Sequence, residues 1–488
     1  MCGIYGFISQ HASEKDLQNA TDQLQKRGPD SAGYYYKSPL GLGHRRLSII
    51  DLSNGNQPMF SKDRKQVIVF NGEIYNFLQV KEELMQIGYV FNTLSDTEVI
   101  LIAYVAWGIE GCLQKFEGMF AFALWDENLK KLWVVRDRFG EKPLYYTKND
   151  KGFFFASELK ALNEFYNKDR ICKKALNLFL SLSYIPAPYT IYEDVFKLEA
   201  GSYLEIEDTC NYNIKIFYDL KKVVENSRLY PIESYDEAKK RLRELLFSSV
   251  EERMISDVPI GSFLSGGIDS SIVSAIMAKI SPTPIKTFSI GFKEKEYDES
   301  DRAALVAKHI GSEHTLHVLG HEDLLSIVDE TLSYFDEPFG DSSAIPSMMV
   351  AKKAREKVTV VLTGDCADEL FGGYDKYLGK HYTEKYSMYP KFLRSIFETA
   401  INFVPHNSKT NGKLRKIKKV IHSALLSSEE RYLQLSCLGF STRENNLLLN
   451  DKFQFSVSKD ILKYFSDDID KEELTQTFYS DVRLVLEG

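Results

Sequence analysis

The pattern of apolar residues changes once along this chain, and that change constrains the fold more than any other feature. Residues 1–200 hold many short β-like runs bounded by turns, whereas strand-like runs alternate with helical patterns beyond about residue 240. The first pattern predicts a sheet-rich domain with helices on its faces, and the second predicts a parallel sheet with crossover helices. One core rarely extends past ~250–300 residues. We therefore predict an α/β and α+β chain with domains at 1–200 and 236–488 and a linker at 201–235.

Charge and composition exclude several classes of function. A net charge of −8 and a pI near 5.8 provide no basic field for a nucleic-acid backbone. No apolar run approaches the ~18 residues of a membrane-spanning helix, so no membrane anchor is expected. The basic run "KLRKIKK" at 413–419 is interpreted as a solvated helix face, with contact to an acidic partner as the alternative.

The spacing of the cysteines indicates the redox state of the compartment in which the protein works. They stand at positions 2, 112, 172, 210, 366 and 437 and form no C-x-x-C pair. This spacing argues against a disulfide framework and a zinc site, and it points to a reducing cytoplasm. The N-terminus shows no charged segment followed by a long apolar core, so no signal peptide is expected.

Cys2 stands directly behind the initiator methionine, in "MCGIYGF". Chain ends usually carry no chemical function, so a cysteine there is either a chance residue or the functional residue of that end. Removal of Met1 would give Cys2 a free α-amino group, which titrates near ~7.7–8.0 and can act as base for the thiol.

Six motifs over residues 1–160 favour a functional Cys2 over a chance cysteine. They are "MCGIYGF", "RGPDSAG", "GLGHRRLSIID", "VFNGEIYN", "SDTEVIL" and "RDRFGEKPLYY". Their order and spacing resemble the class II glutamine amidotransferases. The resemblance implies an N-terminal αββα Ntn-hydrolase sandwich. It also implies a cysteine that attacks the glutamine side-chain amide, passes through an oxyanion and a glutamyl thioester, and releases ammonia.

By the same resemblance, Cys2 is the nucleophile, and Asn71 and the Gly72 N–H form the oxyanion hole. Arg46 would take the α-carboxylate of glutamine, whereas Asp96 and the Glu73 region would take its α-ammonium. The implied glutamine-binding residues are Arg46, Ile49, Ile50, Asn71, Gly72, Glu73 and Asp96. A scaffold role is assigned to Arg136, Asp137 and Arg138.

A second motif, "FLSGGIDSS" at 263–271, ends a strand and opens a helix. A lone S-G-G is compatible with an ordinary turn, but two glycines and serines at a helix start present backbone N–H groups to an anion. The Walker lysine is absent. The stretch resembles the PP-loop of adenylating ATP pyrophosphatases. With "TFSIGF", "YDES", "FDEPFGDSSAIP" and "VLTGDCADELFGGY", it is similar from about 240 to 380 to the synthetase domain of glutamine-hydrolysing asparagine synthetases.

That similarity implies ATP-binding residues, and they are Leu264, Ser265, Gly266, Gly267, Asp269, Ser270, Ile290, Thr363 and Gly364. It implies Mg²⁺ and pyrophosphate at Asp269 and Asp368, because a polyanionic leaving group needs hard cations with oxygen ligands. Asp365 is expected to bear on acyl-adenylate formation, and Cys366 is interpreted as a tolerated small residue.

The implied function is ATP-dependent transfer of the glutamine amide nitrogen to aspartate through β-aspartyl-AMP, with an interdomain ammonia tunnel. Small-molecule substrates, a cytoplasmic location and a possible homodimer accompany it. The family pattern normally continues past "DVRLVLEG", so we expect either a fragment of a longer product or a naturally short protein.

Three other functions stay open. A sugar-acid or peptide carboxylate could replace aspartate as acceptor, because no motif reads the acceptor directly. A transferase of the sugar-isomerase or phosphoribosyl type would share the first domain but would not need "SGGIDSS". A degenerate binding or regulatory protein would have no reason to keep Cys2, Asn71 and Arg46 together.

Overall fold

A computed structural model describes residues 1–208, 211–296, 298–402, 411–424, 426, 428–436, 439–455 and 473–486. Its first part holds two antiparallel six-stranded sheets. Sheet A has the order β10-β8-β9-β1-β3-β2 and consists of β1 (Gly3–Ile8), β2 (Ser31–Lys37), β3 (Leu40–Arg46), β8 (Tyr145–Asn149), β9 (Gly152–Ala156) and β10 (Val195–Lys197). Sheet B has the order β12-β11-β7-β6-β5-β4 and consists of β4 (Met59–Phe60), β5 (Gln66–Ile74), β6 (Gly118–Asp126), β7 (Lys131–Arg136), β11 (Ser202–Ile206) and β12 (Tyr212–Ile216).

The two sheets pack face to face because both are apolar on their inner faces. Ile4 and Ile8 of sheet A join Val67 and Val69 of sheet B in one buried cluster, as period-2 strands require when one face meets another sheet. Helices α2 (Phe77–Gln86) and α3 (Asp96–Lys115) cover the outer face of sheet B, and α1 (Glu14–Asp22) packs on sheet A. This confirms the predicted αββα sandwich.

Local sequence explains where the helices begin. Ser13 and Asp16 form a capping box at the start of α1, and Ser95 caps α3. The helical pattern "DTEVILIAYVAWG" continues to Lys115, although Gly108 leaves helical geometry at a φ of 69°. Glycine tolerates that conformation without a steric penalty.

The stretch 201–235, which was predicted as a linker, contains regular structure. It carries β11, β12 and α5 (Leu220–Ser227). Leu204 and Ile206 enter the core between the sheets, whereas Tyr203 joins the cluster beneath α2 and α3. Because the apolar residues of β11 face two different cores, its five residues do not alternate clearly between apolar and polar. The alternation that predicts a strand from sequence is therefore absent.

The later part of the chain contains a four-stranded parallel sheet in the order β15-β14-β13-β16. Its strands are β13 (Ile260–Phe263), β14 (Lys286–Phe292), β15 (Glu313–Leu319) and β16 (Val360–Leu362). The helices around it are α6 (Tyr235–Glu252), α7 (Ile268–Ile280), α8 (Ser300–Ile310), α9 (His321–Tyr334) and α10 (Ala344–Arg355). The predicted alternation of strand and helix is confirmed.

Contacts divide the chain into two compact units. The first comprises Met1–Arg170, Asp194–Glu337 and Ser342–Asp365, and therefore holds all three sheets. The second comprises Ile171–Glu193, Pro338–Asp341 and Cys366–Gly488. Its described helices are α4 (Lys173–Leu182), α11 (Ala367–Phe371), α12 (Asp375–Ser387), α13 (Lys391–Asn402), α14 (Asn411–Ser423), α15 (Ser428–Ser436), α16 (Thr442–Leu448) and α17 (Glu473–Asp481). The domain boundaries proposed from sequence stay predictions.

The described helices show where the basic run lies and whether any helix could span a membrane. The run "KLRKIKK" lies within α14, as expected of a helix. No helix in the described ranges is long and apolar enough to cross a bilayer. Cys210 and Cys437 lie outside the described residues.

Asp137 anchors the turn that follows β7. Its carboxylate is fully buried and accepts four backbone N–H bonds of 3.0–3.1 Å, from Phe120, Phe139, Glu141 and Lys142. This agrees with the scaffold role predicted for it.

Substitution of Asp137 should destabilise the fold. Asp137→Ala leaves four N–H groups without an acceptor, and those of Phe120 and Lys142 are buried. We therefore expect the free energy of unfolding to fall by about 3–5 kcal/mol. Asp137→Asn keeps one acceptor oxygen and should lose less. Urea denaturation of both variants measures the difference, and a loss below about 1 kcal/mol for Asp137→Ala would contradict the anchoring role.

Candidate active site

Cys2 immediately precedes β1, a central strand of sheet A. Its Sγ lies 3.6 Å from the Leu47 carbonyl oxygen, to which the thiol donates, and 3.4 Å from the Leu47 N–H, which donates to it. Burial raises the pKa of the Cys2 thiol. A thiol in that setting needs a nearby base to become a nucleophile.

Asn71 and Gly72 lie on β5 of sheet B. The Asn71 side chain is completely buried, and neither its Nδ2 nor its Oδ1 has a hydrogen-bond partner among the described residues. Such a group costs about 1–3 kcal/mol, so its retention indicates a ligand that supplies the missing bonds. Gly72 has a φ of 156°, and a Cβ there would lie 2.1 Å from the Met119 carbonyl oxygen.

Glu73 and Asp96 bring two carboxylates to the same pocket. Burial, together with Asp96, raises the pKa of Glu73 to about 7. Burial raises the pKa of Asp96 to about 6, although its Oδ2 accepts the Ile74 N–H at 3.1 Å. A cationic ligand would relieve both shifts, because it favours the charged form of each carboxylate.

Arg46 ends β3 and is buried. Its guanidinium donates to the carbonyl oxygens of Ile50, Asp51 and Leu52 at 2.7–3.3 Å and to Asn56 Oδ1 at 3.0 Å. The guanidinium therefore orders the loop after Leu47. Ile49 and Ile50 of this loop line the pocket, as does Arg46 itself.

The loop is also tied to the segment that leads into β13. Asp257 Oδ2 accepts the Asp51 N–H at 2.8 Å, and the Asp257 N–H donates to the Ile49 carbonyl oxygen at 3.0 Å. Asp51 itself has a φ of 49°, a conformation in which aspartate is tolerated better than most residues.

All the residues predicted to bind glutamine line one pocket together with Cys2; they are Arg46, Ile49, Ile50, Asn71, Gly72, Glu73 and Asp96. Sequence reasoning did not assign the other lining residues, which include Met119, Lys142, Gln57 and Thr97. Lys142 Nζ lies 2.7 Å from Met119 Sδ, and burial lowers the pKa of Lys142. The signal was present in "RDRFGEKPLYY", since Asp137 of that motif fixes the Lys142 backbone.

The predicted nucleotide loop joins β13 to α7. Gly266 has a φ of 80°, and a Cβ there would lie 2.7 Å from the Ala303 backbone nitrogen. The loop is shaped by hydroxyl groups: Ser265 Oγ lies 2.9 Å from Ser270 Oγ and accepts the Gly267 N–H at 3.2 Å. This places exposed backbone at the N-terminus of a 13-residue helix, an arrangement that favours anions.

Other predicted nucleotide residues lie around the same end of the parallel sheet. Thr363 and Gly364 directly follow β16, which pairs with β13. Gly364 approaches the loop so closely that a Cβ would lie 2.6 Å from the Ser270 backbone nitrogen. Leu264 is buried under the loop and Ile290 lies on the neighbouring β14. Ligands of open parallel sheets bind at the carboxyl ends of the strands.

The acidic residues that follow β16 are divided between the two units. Thr363 Oγ1 donates to Asp365 Oδ2 at 2.7 Å in the first unit, whereas Asp368 belongs to α11 of the second. No group of three His, Cys, Asp or Glu side chains able to hold a metal occurs within the described part of the chain. Cys366 has a φ of 73°, where glycine is the favoured residue.

Comparisons with known proteins assign the family. Residues 1–218 match the glutamine amidotransferase domain family, and residues 241–484 match the asparagine synthase family. Asparagine synthetase [glutamine-hydrolyzing] 1 of Bacillus subtilis is 35% identical over 488 residues, which cover 99% of this chain and 72% of the relative.

Two further relatives extend the comparison. The putative asparagine synthetase [glutamine-hydrolyzing] 2 of Methanocaldococcus jannaschii is 37% identical over 466 residues, which cover 89% of this chain and 87% of the relative. Amidase chry2 of Gibberella zeae is 30% identical over 424 residues and covers 80% of this chain and 62% of the relative.

An alanine at position 72 should abolish glutamine hydrolysis. The added Cβ would collide with the Met119 carbonyl oxygen and shift the Gly72 N–H. The family resemblance implies that this N–H faces the oxyanion, so we expect kcat to fall by about 100-fold or more. Gly88→Ala is the matched control, because Gly88 also has a positive φ, of 97°, but nothing lies within 4 Å of its Cβ position. Glutamate release measures both, and equal activities of the two variants would contradict the role of Gly72.

The raised pKa of Glu73 predicts a pH dependence. The family resemblance implies that Glu73 helps to hold the glutamine ammonium, and a carboxyl group is neutral below its pKa. We therefore expect kcat/KM for glutamine to fall as the pH drops through about 7. Glu73→Gln should lower kcat/KM at higher pH and remove that descending limb. Persistence of the limb in Glu73→Gln would assign it to another group, such as the α-amine of Cys2.

Proposed function

Because this chain belongs to the family of glutamine-hydrolysing asparagine synthetases, we propose that it transfers the amide nitrogen of glutamine to aspartate at the expense of ATP. The products are asparagine, glutamate, AMP and pyrophosphate. The observation that carries the proposal is the buried, unpartnered amide of Asn71 in the same pocket as Cys2.

Hydrolysis of glutamine begins once Met1 has been removed. The freed α-amine of Cys2 takes the thiol proton, and the thiolate attacks the amide carbon of glutamine. Asn71 Nδ2 and the Gly72 N–H donate to the oxyanion, which gives the buried Nδ2 the acceptor it otherwise lacks. The protonated amine then gives its proton to the leaving nitrogen, ammonia departs, and water cleaves the thioester to release glutamate.

Pocket charge orients the substrate. The carboxylates of Glu73 and Asp96 hold the α-ammonium of glutamine, and Arg46 faces its α-carboxylate. Arg46 also has a second task, since four of its hydrogen bonds hold the loop that contains Ile50. Its substitution would therefore disturb the shape of the pocket as well as its charge.

The nucleotide loop supports the second half-reaction. The backbone N–H of Gly266 and those of the first turn of α7 would bind the phosphates of ATP. A carboxylate oxygen of aspartate attacks the α-phosphorus and pyrophosphate leaves; ammonia then attacks the acyl carbon and AMP leaves. Asp365 would bear on formation of this adenylate, as the sequence predicts.

Magnesium fits this site as a partner of the phosphates. It is commonly held by one or two carboxylates together with substrate phosphates, and Asp269 in the first turn of α7 forms no ion pair among the described residues. Asp368 stays the second candidate that the family resemblance implies. Held there, it would neutralise charge on the leaving pyrophosphate. The cytoplasmic location and the homodimer stay predictions from the sequence and its family.

A nitrogen-tracing assay tests the function. With amide-¹⁵N glutamine, aspartate, ATP and magnesium, we expect labelled asparagine and AMP in equal amounts, detected by mass spectrometry. Cys2→Ala should lose this activity but still form asparagine from free ammonia, because the synthetase step does not use the thiol.

Two results would contradict the proposal. Labelled ammonia without asparagine would refute aspartate as acceptor and turn the search to sugar-acid or peptide carboxylates. Equal glutamate release by wild type and Cys2→Ala would refute the nucleophile.

A further inference from the structure

The carbonyl oxygen of Cys2 is held by a buried arginine. Arg27 Nε donates to it at 2.9 Å. Arg27 Nη1 in turn lies 3.2 Å from Glu158 Oε1, and the two side chains are only 6% and 11% exposed. The position of the Cys2 backbone is therefore coupled to the position of Glu158, which lies two residues after β9 of sheet A.

The second oxygen of Glu158 continues this series of contacts. Lys160 Nζ lies 2.9 Å from Glu158 Oε2 and 3.4 Å from Asp336 Oδ1. The Lys160 backbone N–H also donates to Asp336 Oδ2 at 3.0 Å. One lysine thus links the carboxylate beside Arg27 to a carboxylate 178 positions further along the chain (336 − 158).

Asp336 belongs to the other half of the sequence. It lies in "FDEPFGDSSAIP", after α9, within the residues that match the asparagine synthase family. Neither the nucleotide loop nor the glutamine pocket uses it. The series Cys2–Arg27–Glu158–Lys160–Asp336 therefore starts at the glutamine nucleophile and ends in the synthetase part.

Removal of the charge on Asp336 would unbalance this series. Lys160 would keep Glu158 as its sole carboxylate partner in the series, and would draw it away from Arg27. Buried charges respond strongly to such a loss, because water does not replace the missing partner. A shift of Arg27 moves the Cys2 carbonyl, and the thiol with it, relative to the oxyanion donors.

We infer that Asp336 and Lys160 are positioning residues for glutamine hydrolysis, so that the synthetase part of the chain sets the placement of Cys2. The inference rests on the proposed function. Its effect is on kcat rather than on KM, because these side chains do not line the pocket that binds glutamine.

The chain offers a matched control. Lys197 and Glu337 form a neighbouring ion pair at 2.7 Å, with 7% and 14% of the side chains exposed. It joins sheet A to the residue after Asp336, yet it is not part of the series that leads to Cys2. If the Lys160–Asp336 and Lys197–Glu337 ion pairs only hold the segment at 336–337 against sheet A, substitution of either pair should change kcat by the same factor.

The test compares five variants of the full chain: Asp336→Asn, Lys160→Met, the double variant, Lys197→Met and Glu337→Gln. We expect kcat for glutamate release to fall about tenfold in the first two, with KM within twofold, and no further in the double variant, because both act through one series. The Lys197 and Glu337 variants should keep kcat within about twofold. Intact mass verifies Met1 removal, and thermal melting verifies folding.

A chemical readout accompanies the kinetics. Labelling of Cys2 by a diazoketone analogue of glutamine requires correct placement of the thiol, whereas iodoacetamide does not. Asp336→Asn should therefore slow the first reagent about tenfold and the second less than twofold. Unchanged kcat in the Asp336 and Lys160 variants, or equal losses in all four single variants, would overturn the inference. A wild-type chain that releases no glutamate would instead overturn the proposed function, and the positioning role with it.

Discussion

The contact between the two antiparallel sheets is the interaction on which the glutamine site depends. Sheet A carries Cys2 at the start of a central strand, and sheet B carries Asn71 near the end of β5. Strand residues such as Ile4 and Val69 interlock between the sheets and fix their spacing. Because side chains alternate along a strand, a slip of one residue in either sheet would withdraw Cys2 or Asn71 from the pocket that both line.

The pocket contains groups that do not stabilise the fold. Asn71 is buried without a partner, and both Glu73 and Asp96 are held where burial raises their pKa values. The unpartnered Asn71 amide is unfavourable until a ligand supplies a hydrogen-bonding group or a developing negative charge. The two carboxylates are unfavourable until a ligand supplies an ammonium. The surrounding structure offsets this cost, for example through the four hydrogen bonds that Asp137 accepts in the adjoining turn. Sites that break the usual packing rules in this way are typical of function.

The grouping of residues in the pocket at Cys2 was largely predictable from sequence, because they stand in motifs, whereas their roles toward glutamine stay predictions. Cys2, Asn71, Gly72 and Asp96 all line the pocket that the resemblance implies. Met119 was not predictable, because it reaches the pocket through the pairing of β5 with β6. Pairing partners of that kind have no local signature.

The contacts beyond the pocket were less visible. Glu158 and Lys160 belong to none of the quoted motifs, and nothing in "FDEPFGDSSAIP" shows that its Asp336 meets them, so only the folded chain brings the three together. The strands within the predicted linker were missed because they are short and serve two cores. The second role of Arg46, as the residue that orders the loop at Ile50 and Asp51, likewise depends on how the chain turns after β3.

The account holds that the Asn71 amide is kept for the oxyanion and not for the fold, and replacement by leucine tests this most directly. Removal of an unpartnered buried amide should leave the free energy of unfolding unchanged or higher, because no hydrogen bond is lost. The same change should lower kcat for glutamine hydrolysis by about 100- to 1000-fold, the usual effect of losing one oxyanion donor. Urea denaturation and glutamate release, measured on one preparation of Asn71→Leu, decide the matter. A stable but inactive variant is the predicted result, whereas a destabilised variant that still hydrolyses glutamine at the wild-type rate would contradict the account.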